Sequence, residues 1–393
     1  MTPPSTEIAL STSVTLGLVA IAVGENYQKA NQAIEAAGLT RQPGGAYAVP
    51  LTDPKAARRA ASALAAHGHE HGIALVTSTR RYLGDVGTEI AAQLPGNWSA
   101  QLEIYSLPLW QDDLWCQLWE AGEIHAALQN HNVPFASVLK DGQGTELLLM
   151  ERPGHSSGYL LGALTDHEKE DVLEDPTTPS TMVLPAEPDR AAALIAGTFL
   201  PLYRNAVHHR DLNFVLAALE RIRGEHRRLQ GMKESGHYAD GVPLSGRITD
   251  ALERSFTDLA WIQFRTVADL APDLIARCDP GSSPWPGDQA AVVRLRSALA
   301  DSEAAMREYT TLNDDLHQLR RLLQTHEYHH VRAEFGLSAR PAIETWLADS
   351  AAFERQVRAA KPAGPTALAS SSQRALTSRP VPPPAAPAPT VHR

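Results

Sequence analysis

From Glu187 onward the apolar residues of this chain recur almost wholly at helical spacing, in stretches much longer than an ordinary globular helix. The stretches run from 187 to about 232 with a break expected at Pro201, then 246 to 276, 288 to about 335, and 341 to 360. Two Gly/Pro clusters, SGHYADGVPLSG and DPGSSPWPGD, separate the long helices. A helix with one apolar stripe has to bury it, and successive long helices can bury theirs against one another. The pattern therefore predicts an antiparallel bundle of three or four helices over 187–360.

Before that point strand and helix signals alternate. VTLGLVAIAV reads as a strand and NYQKANQAIEAAG as a helix stopped by Gly38; AYAVPL is a short strand. Asp53 and Pro54 supply an N-cap and a first-turn proline for an alanine-rich helix that reaches His71 and stops at Gly72. IALVTS and QLEIYS read as strands flanking the short helix TEIAAQLP. DDLWCQLWEAGEIHAALQ, residues 112–129, reads as one helix, after which the DGQG turn between PFASVLK and TELLLME signals a hairpin. YLLGAL adds a further strand. These elements predict an α/β domain with a mixed sheet over 13–165, parallel early and antiparallel late. Residues 1–12 read as a flexible N-terminus, 166–186 as an acidic linker, and 361–393 as a Pro/Ala/Ser-rich tail too poor in apolar residues to bury a core and expected to be disordered. The expected fold class is α+β multidomain, and 393 residues are enough for two domains and a tail.

Composition narrows the function classes. No apolar run approaches the roughly 20 residues of a membrane helix. The nearest, VTLGLVAIAVG, is too short and lacks a basic leader, so no membrane association is expected. Cys116 and Cys278 are the only cysteines, which leaves no disulfide framework and points to the cytoplasm. A net charge of -10 argues against a chain that neutralises phosphates along its length. The basic segment RIRGEHRR (221–228) and the arginines of the tail leave a nucleic-acid-associated adaptor as one open reading.

The chemistry-bearing residues concentrate in the helical half. HEYHH, residues 326–330, fits H-E-x-x-H. Leu312, Leu316, Leu319 and Leu323 step along one helical seam that continues onto His326 and His330. On an earlier helix Leu212, Val215, Leu219 and Ile222 continue to His226, and the same step taken backwards reaches His208. Four histidines thus stand where a bundle or coiled coil would place leucine, and an inward histidine needs a hydrogen-bond partner or a metal.

HEYHH resembles the zincin motif, which implies His326 and His330 as zinc ligands and Glu327 as the group polarising a metal-bound water. The longer metzincin pattern departs at Ala333 and Gly336. The pair His326 and His330, with a third histidine from a facing helix, His226 or His208, also resembles DinB-type bundles. That resemblance implies a divalent transition metal such as zinc held inside the bundle, and a metal-dependent hydrolase or transferase.

Three other clusters remain. GHSSG (154–158) fits the nucleophile-elbow pattern, with Ser156 as candidate nucleophile, although its context reads as a glycine-rich turn. HGHEH (67–71) is a histidine cluster at a helix end, and LGDVG (83–87) opens a helix whose N-terminus can hold an anion. Trp110, Trp115 and Trp119 crowd one region, as core or, if exposed together, as an interaction surface. No reaction is named by these residues. The primary expectation is a cytoplasmic binding or assembly protein acting through its bundle and its aromatic helix, on a protein partner or on itself.

Overall fold

The computed structural model describes residues 6–119, 122–165, 178–238, 240–278, 285–319 and 325–360; among these, the side chains of 108, 113, 305, 306, 308–319 and 325–337 are outside the description. The chain is an α+β multidomain protein whose strands lie N-terminal and whose long helices lie C-terminal. No described helix is long and apolar enough to cross a membrane.

The first sheet contains β1 (Glu7–Ser13), β2 (Gly17–Val23), β3 (Thr40–Arg41), β4 (Tyr47–Val49) and β5 (Ala74–Arg81), in the order β3-β4-β2-β1-β5. It is mixed, because β1 pairs antiparallel with β2 and parallel with β5. The first strand starts inside the segment expected to be flexible. Its alternation is visible once paired, since Ile8 and Leu10 point into the core while Glu7 and Ala9 do not. Two helices, α1 (Tyr27–Ala36) and α2 (Pro54–His71), cover one face of this sheet through Ala30, Ala33, Ile34, Ala57, Ala60 and Leu64. Asp53 caps α2 by accepting from the amides of Lys55 and Ala56, with Pro54 in the first turn, as its sequence predicts.

A second five-stranded sheet replaces the expected continuation of the first. It comprises β6 (Ser99–Ile104), β7 (Phe135–Lys140), β8 (Glu146–Glu151), β9 (Tyr159–Ala163) and β10 (Met182–Leu184), in order and antiparallel throughout. Strand β10 lies within the stretch that reads as linker. Leu102, Ile104 and Phe135 of this sheet pack on Val19, Ile21, Val23 and Ala48, so the buried far face of the first sheet lies against it. One face of the second sheet carries α4 (Pro108–Trp115) and α5 (Glu123–Asn130). The other carries α3 (Leu83–Gln93), α6 (Pro188–Leu194) and a π-helical turn, Ile195–Phe199. Gly87 explains how closely α3 approaches: a Cβ there would lie 2.3 Å from Ser137 Oγ on β7.

The bundle is built from α7 (Leu200–Ser235), α8 (Gly246–Ala276), α9 (Asp288–Leu319) and α10 (Thr325–Ala359). Helix α7 runs antiparallel to α8, with Lys233 paired to Glu253 near the connecting turn and Arg221 bonded to Gln263 further along. Helix α9 runs antiparallel to α10, pairing Asp288 with Arg355 and Arg294 with Asp349. Leu219, Ile222, Phe264, Val267, Leu295, Trp346 and Phe353 share the common core.

Two helix boundaries differ from the sequence reading. The break expected at Pro201 takes the form of the π turn just before it, which is how the ladder accommodates a residue with no N–H. The bundle core begins near Leu212, because Leu200, Tyr203 and Ala206 of α7 still cover the second sheet. Pro341 lies inside α10 and does not start it, so HEYHH occupies the first turns of α10 and not the end of a helix begun at 288. The seam leucines Leu312, Leu316 and Leu319 lie among the undescribed side chains, and Leu323 and the tail from 361 lie outside the described residues.

Candidate functional site

Of the four histidines expected to face inward, His208 is the most buried of those described, at 2% exposure. Its Nε2 lies 3.1 Å from the Val357 carbonyl and its Nδ1 lies 3.3 Å from Nη1 of Arg277. A carbonyl can only accept and a guanidinium can only donate, so the ring is the Nε2–H tautomer with its Nδ1 lone pair engaged. His208 is thus a satisfied core histidine with no lone pair left for a metal. Burial holds its pKa below the ordinary imidazole value, opposed by the Val357 bond and assisted by the Arg277 charge.

That shift fixes a pH dependence. The unfolded chain takes up the His208 proton first, so stability falls as pH drops through about 6.5 and levels once the lower folded-state value is passed. His208→Gln keeps a donor for Val357 but cannot titrate. Thermal midpoints measured from about pH 8 downward should fall less steeply in the variant than in the wild type, even though the variant starts lower. Parallel slopes would remove His208 from the acid response.

His226 stands elsewhere. Its Nε2 is 3.2 Å from Gln230 Nε2 and its ring is tilted on Phe256, 5.5 Å between centroids. With Thr257, Arg340, Ile343, Glu344 and Leu347 it lines a cleft of about 30 Å³ among α7, α8 and α10. That volume accommodates a water or two and is far below what an organic substrate fills. Along α7 it is roughly 27 Å of helix rise from His208. Arg340, beside His226, is roughly 15 Å of rise from His330 on α10. His208 and His226 therefore do not meet at one ion. The side chains of His326, Glu327 and His330 lie outside the described residues.

GHSSG forms the turn of an antiparallel hairpin between β8 and β9, with Gly154 at φ 73° and Gly158 at φ 86°. A nucleophile elbow leads from strand to helix, whereas β9 follows here and Ser156 is exposed. The turn is tied down by Arg80 of β5, whose guanidinium donates to the carbonyls of Arg152 and Gly158 at 3.0 Å each and to that of His155. Its Nε is also 3.5 Å from Glu151, whose pKa burial raises and Arg80 partly restores. LGDVG opens α3 with a buried carboxylate of its own. Asp85 itself occupies that end of α3, accepting from Ser13 Oγ at 2.9 Å, Val14 N at 2.6 Å and Thr15 Oγ1 at 3.0 Å. The roles of Arg80 and Asp85 carry no signal in the sequence, because their partners lie some 70 positions away.

The aromatic residues divide. The helix expected over 112–129 is two short helices, so Trp115 and Trp119 do not share a helical side. Trp119, 1% exposed, is core, edge-on to Tyr203 at 5.6 Å with the Arg210 guanidinium 4.6 Å from its ring centroid. Trp115 is half-buried and edge-on to His125 at 5.4 Å. Trp110 is 41% exposed and its neighbour Leu109 is 70% exposed. The Trp110 ring meets Tyr27 of α1 edge-on at 5.5 Å. Buried Gln111 fixes α4 from beneath, donating to the carbonyls of Leu128 and His131 and accepting from the Val133 amide.

The basic segment 221–228 is largely neutralised locally. Arg223 and Arg227 pair with Glu220, and Arg228 pairs with Glu225. The chain matches no protein-family model, no curated protein and no solved structure.

Proposed function

We propose that this protein is a binding and assembly component that captures a basic, apolar segment of a partner protein on its Leu109–Trp110 surface. The observation that supports this is the outward pair itself: a leucine and a tryptophan presented on a helix that Gln111 anchors, beside Tyr27. Exposed tryptophan on a rigid support is the residue type that dominates binding interfaces. Glu25 and Lys29, each two positions from Tyr27, and Asp112, close to Trp110, are also exposed, which leaves a local excess of acid. With a net charge of -10 they favour a partner carrying Lys or Arg, whose cation can stack on the indole. The proposal assigns the protein to the cytoplasm, consistent with two unpaired cysteines, Cys116 exposed and Cys278 buried.

The test uses two amphipathic peptides, one of Lys and Leu and one of Glu and Leu, titrated into the full chain while tryptophan fluorescence is followed. The Lys/Leu peptide should change the emission of the wild type and not that of Trp110→Phe. Leu109→Ser should weaken the binding by about tenfold or more, a loss of at least 1.4 kcal/mol. An equal response to both peptides, or an undiminished one in Leu109→Ser, would refute the assignment. A metal-dependent enzyme built on the bundle histidines has less support, since His208 has no lone pair free and His226 stands far from it.

A further inference from the structure

We propose that the last turn of α2 binds a divalent transition-metal ion through His67, Glu70 and His71. One ligand atom from each lies within 4.8 Å of the other two, which makes this the metal-competent group of three among the described residues. His67 Nδ1 is 3.8 Å from a Glu70 carboxylate oxygen, and the two imidazole rings are stacked, 7° from parallel with centroids 6.4 Å apart. Spacings of three and four residues put all three on one side of a helix. Around a tetrahedral zinc ion, donors about 2.1 Å from the metal stand about 3.4 Å apart. The observed separations close to that by small rotations of side chains that are exposed or half-exposed and free to make them.

The backbone beneath these side chains is fixed, so a metal would order three rotamers and no helix. Leu64 is buried and Gly68 sits against the following strand, where a Cβ would come 3.0 Å from the Ile73 carbonyl. Gly72 ends the helix in the left-handed region at φ 64°, and the Ile73 amide donates back to the Gly68 carbonyl at 2.8 Å. The site is also at the negative end of the α2 dipole, which favours a cation in the last turn. Two imidazoles and one carboxylate select late first-row ions over magnesium or calcium, and three protein ligands leave a coordination position for water.

The decisive experiment is calorimetric titration of zinc chloride into the untagged, metal-stripped full chain. Three variants accompany it: His67→Ala/His71→Ala, Glu70→Gln, and His326→Ala/His330→Ala as the control for the other histidine pair. The wild type should take up one equivalent that persists in the control. The same equivalent should weaken by about tenfold or more in His67→Ala/His71→Ala, a loss of at least 1.4 kcal/mol, and by a smaller factor in Glu70→Gln. The altered side chains of the site are exposed or half-exposed, so circular dichroism should find those variants folded. Failure of the wild type to take up zinc overturns the site, as does uptake unchanged in His67→Ala/His71→Ala.

Discussion

Replacing Trp346 by alanine is expected to cost about 3–5 kcal/mol of unfolding free energy. Its side chain is 0% exposed at the centre of the bundle, edge-on to Phe353 at 5.0 Å and to Phe264 at 6.4 Å. Truncation would leave a cavity bounded by residues of α8 and α10 that have no shorter way to meet. Trp346→Phe separates packing from polarity. The indole Nε1 has no hydrogen-bond partner among the described residues, so phenylalanine removes a buried N–H that contributes nothing and keeps most of the apolar volume. Denaturant unfolding should find the phenylalanine variant losing well under half of what alanine loses. If alanine lost less than about 1 kcal/mol, the ordinary effect of a point change, Trp346 would not be a core residue of the bundle.

Asp85→Ala is the second large effect, at about 2–4 kcal/mol. The carboxylate is buried at the start of α3 and collects three donors from the turn that joins β1 to β2. Its removal takes the acceptor from the Val14 amide and from the Ser13 and Thr15 hydroxyls, and loosens the turn. Ser13→Ala should cost less, since Val14 N and Thr15 Oγ1 still bind the acid. The double variant should cost less than the sum of the two single changes, because both remove the Ser13–Asp85 bond, while Ser13→Ala alone also frees the Thr15 and Leu16 amides. Full additivity would show that the acid and the turn act independently. Amide exchange should locate the loosening in β1 and β2.

Features governed by chain-local geometry are legible in the order of the amino acids alone. The Asp53–Pro54 start and Gly72 end of α2 follow from backbone groups within a few positions of each other, as does the span of α8 from Gly246 to Ala276. The HGHEH cluster is of the same kind: its three ligands fall within five positions, and one helical turn brings them together. The zinc site therefore rests on a spacing in the chain that the helix turns into geometry.

What escapes the sequence depends on partners distant along the chain. Helical phase correctly turns His208 inward, but only the tertiary structure shows that Val357 and Arg277 already occupy its ring, and that a 36-residue helix carries it far from His226. Alternation identifies most strands without saying that they divide into two sheets, because pairing is settled between strands and not within one. Strand β1 escapes for the same reason, since only Ile8, Ala9 and Leu10 of its seven residues are apolar and only its pairing with β2 and β5 marks it as sheet. The tryptophans show both sides. Their chemistry is plain from the residue type, but the break between α4 and α5 decides that Trp119 enters the core and Trp110 faces outward. The sequence by itself thus determined the fold class, the long helices and the local caps and clusters, which follow from periodicity and short-range hydrogen bonding. Tertiary packing alone decided which polar side chains are satisfied and which remain available, because that choice is made by contacts between residues the chain keeps far apart.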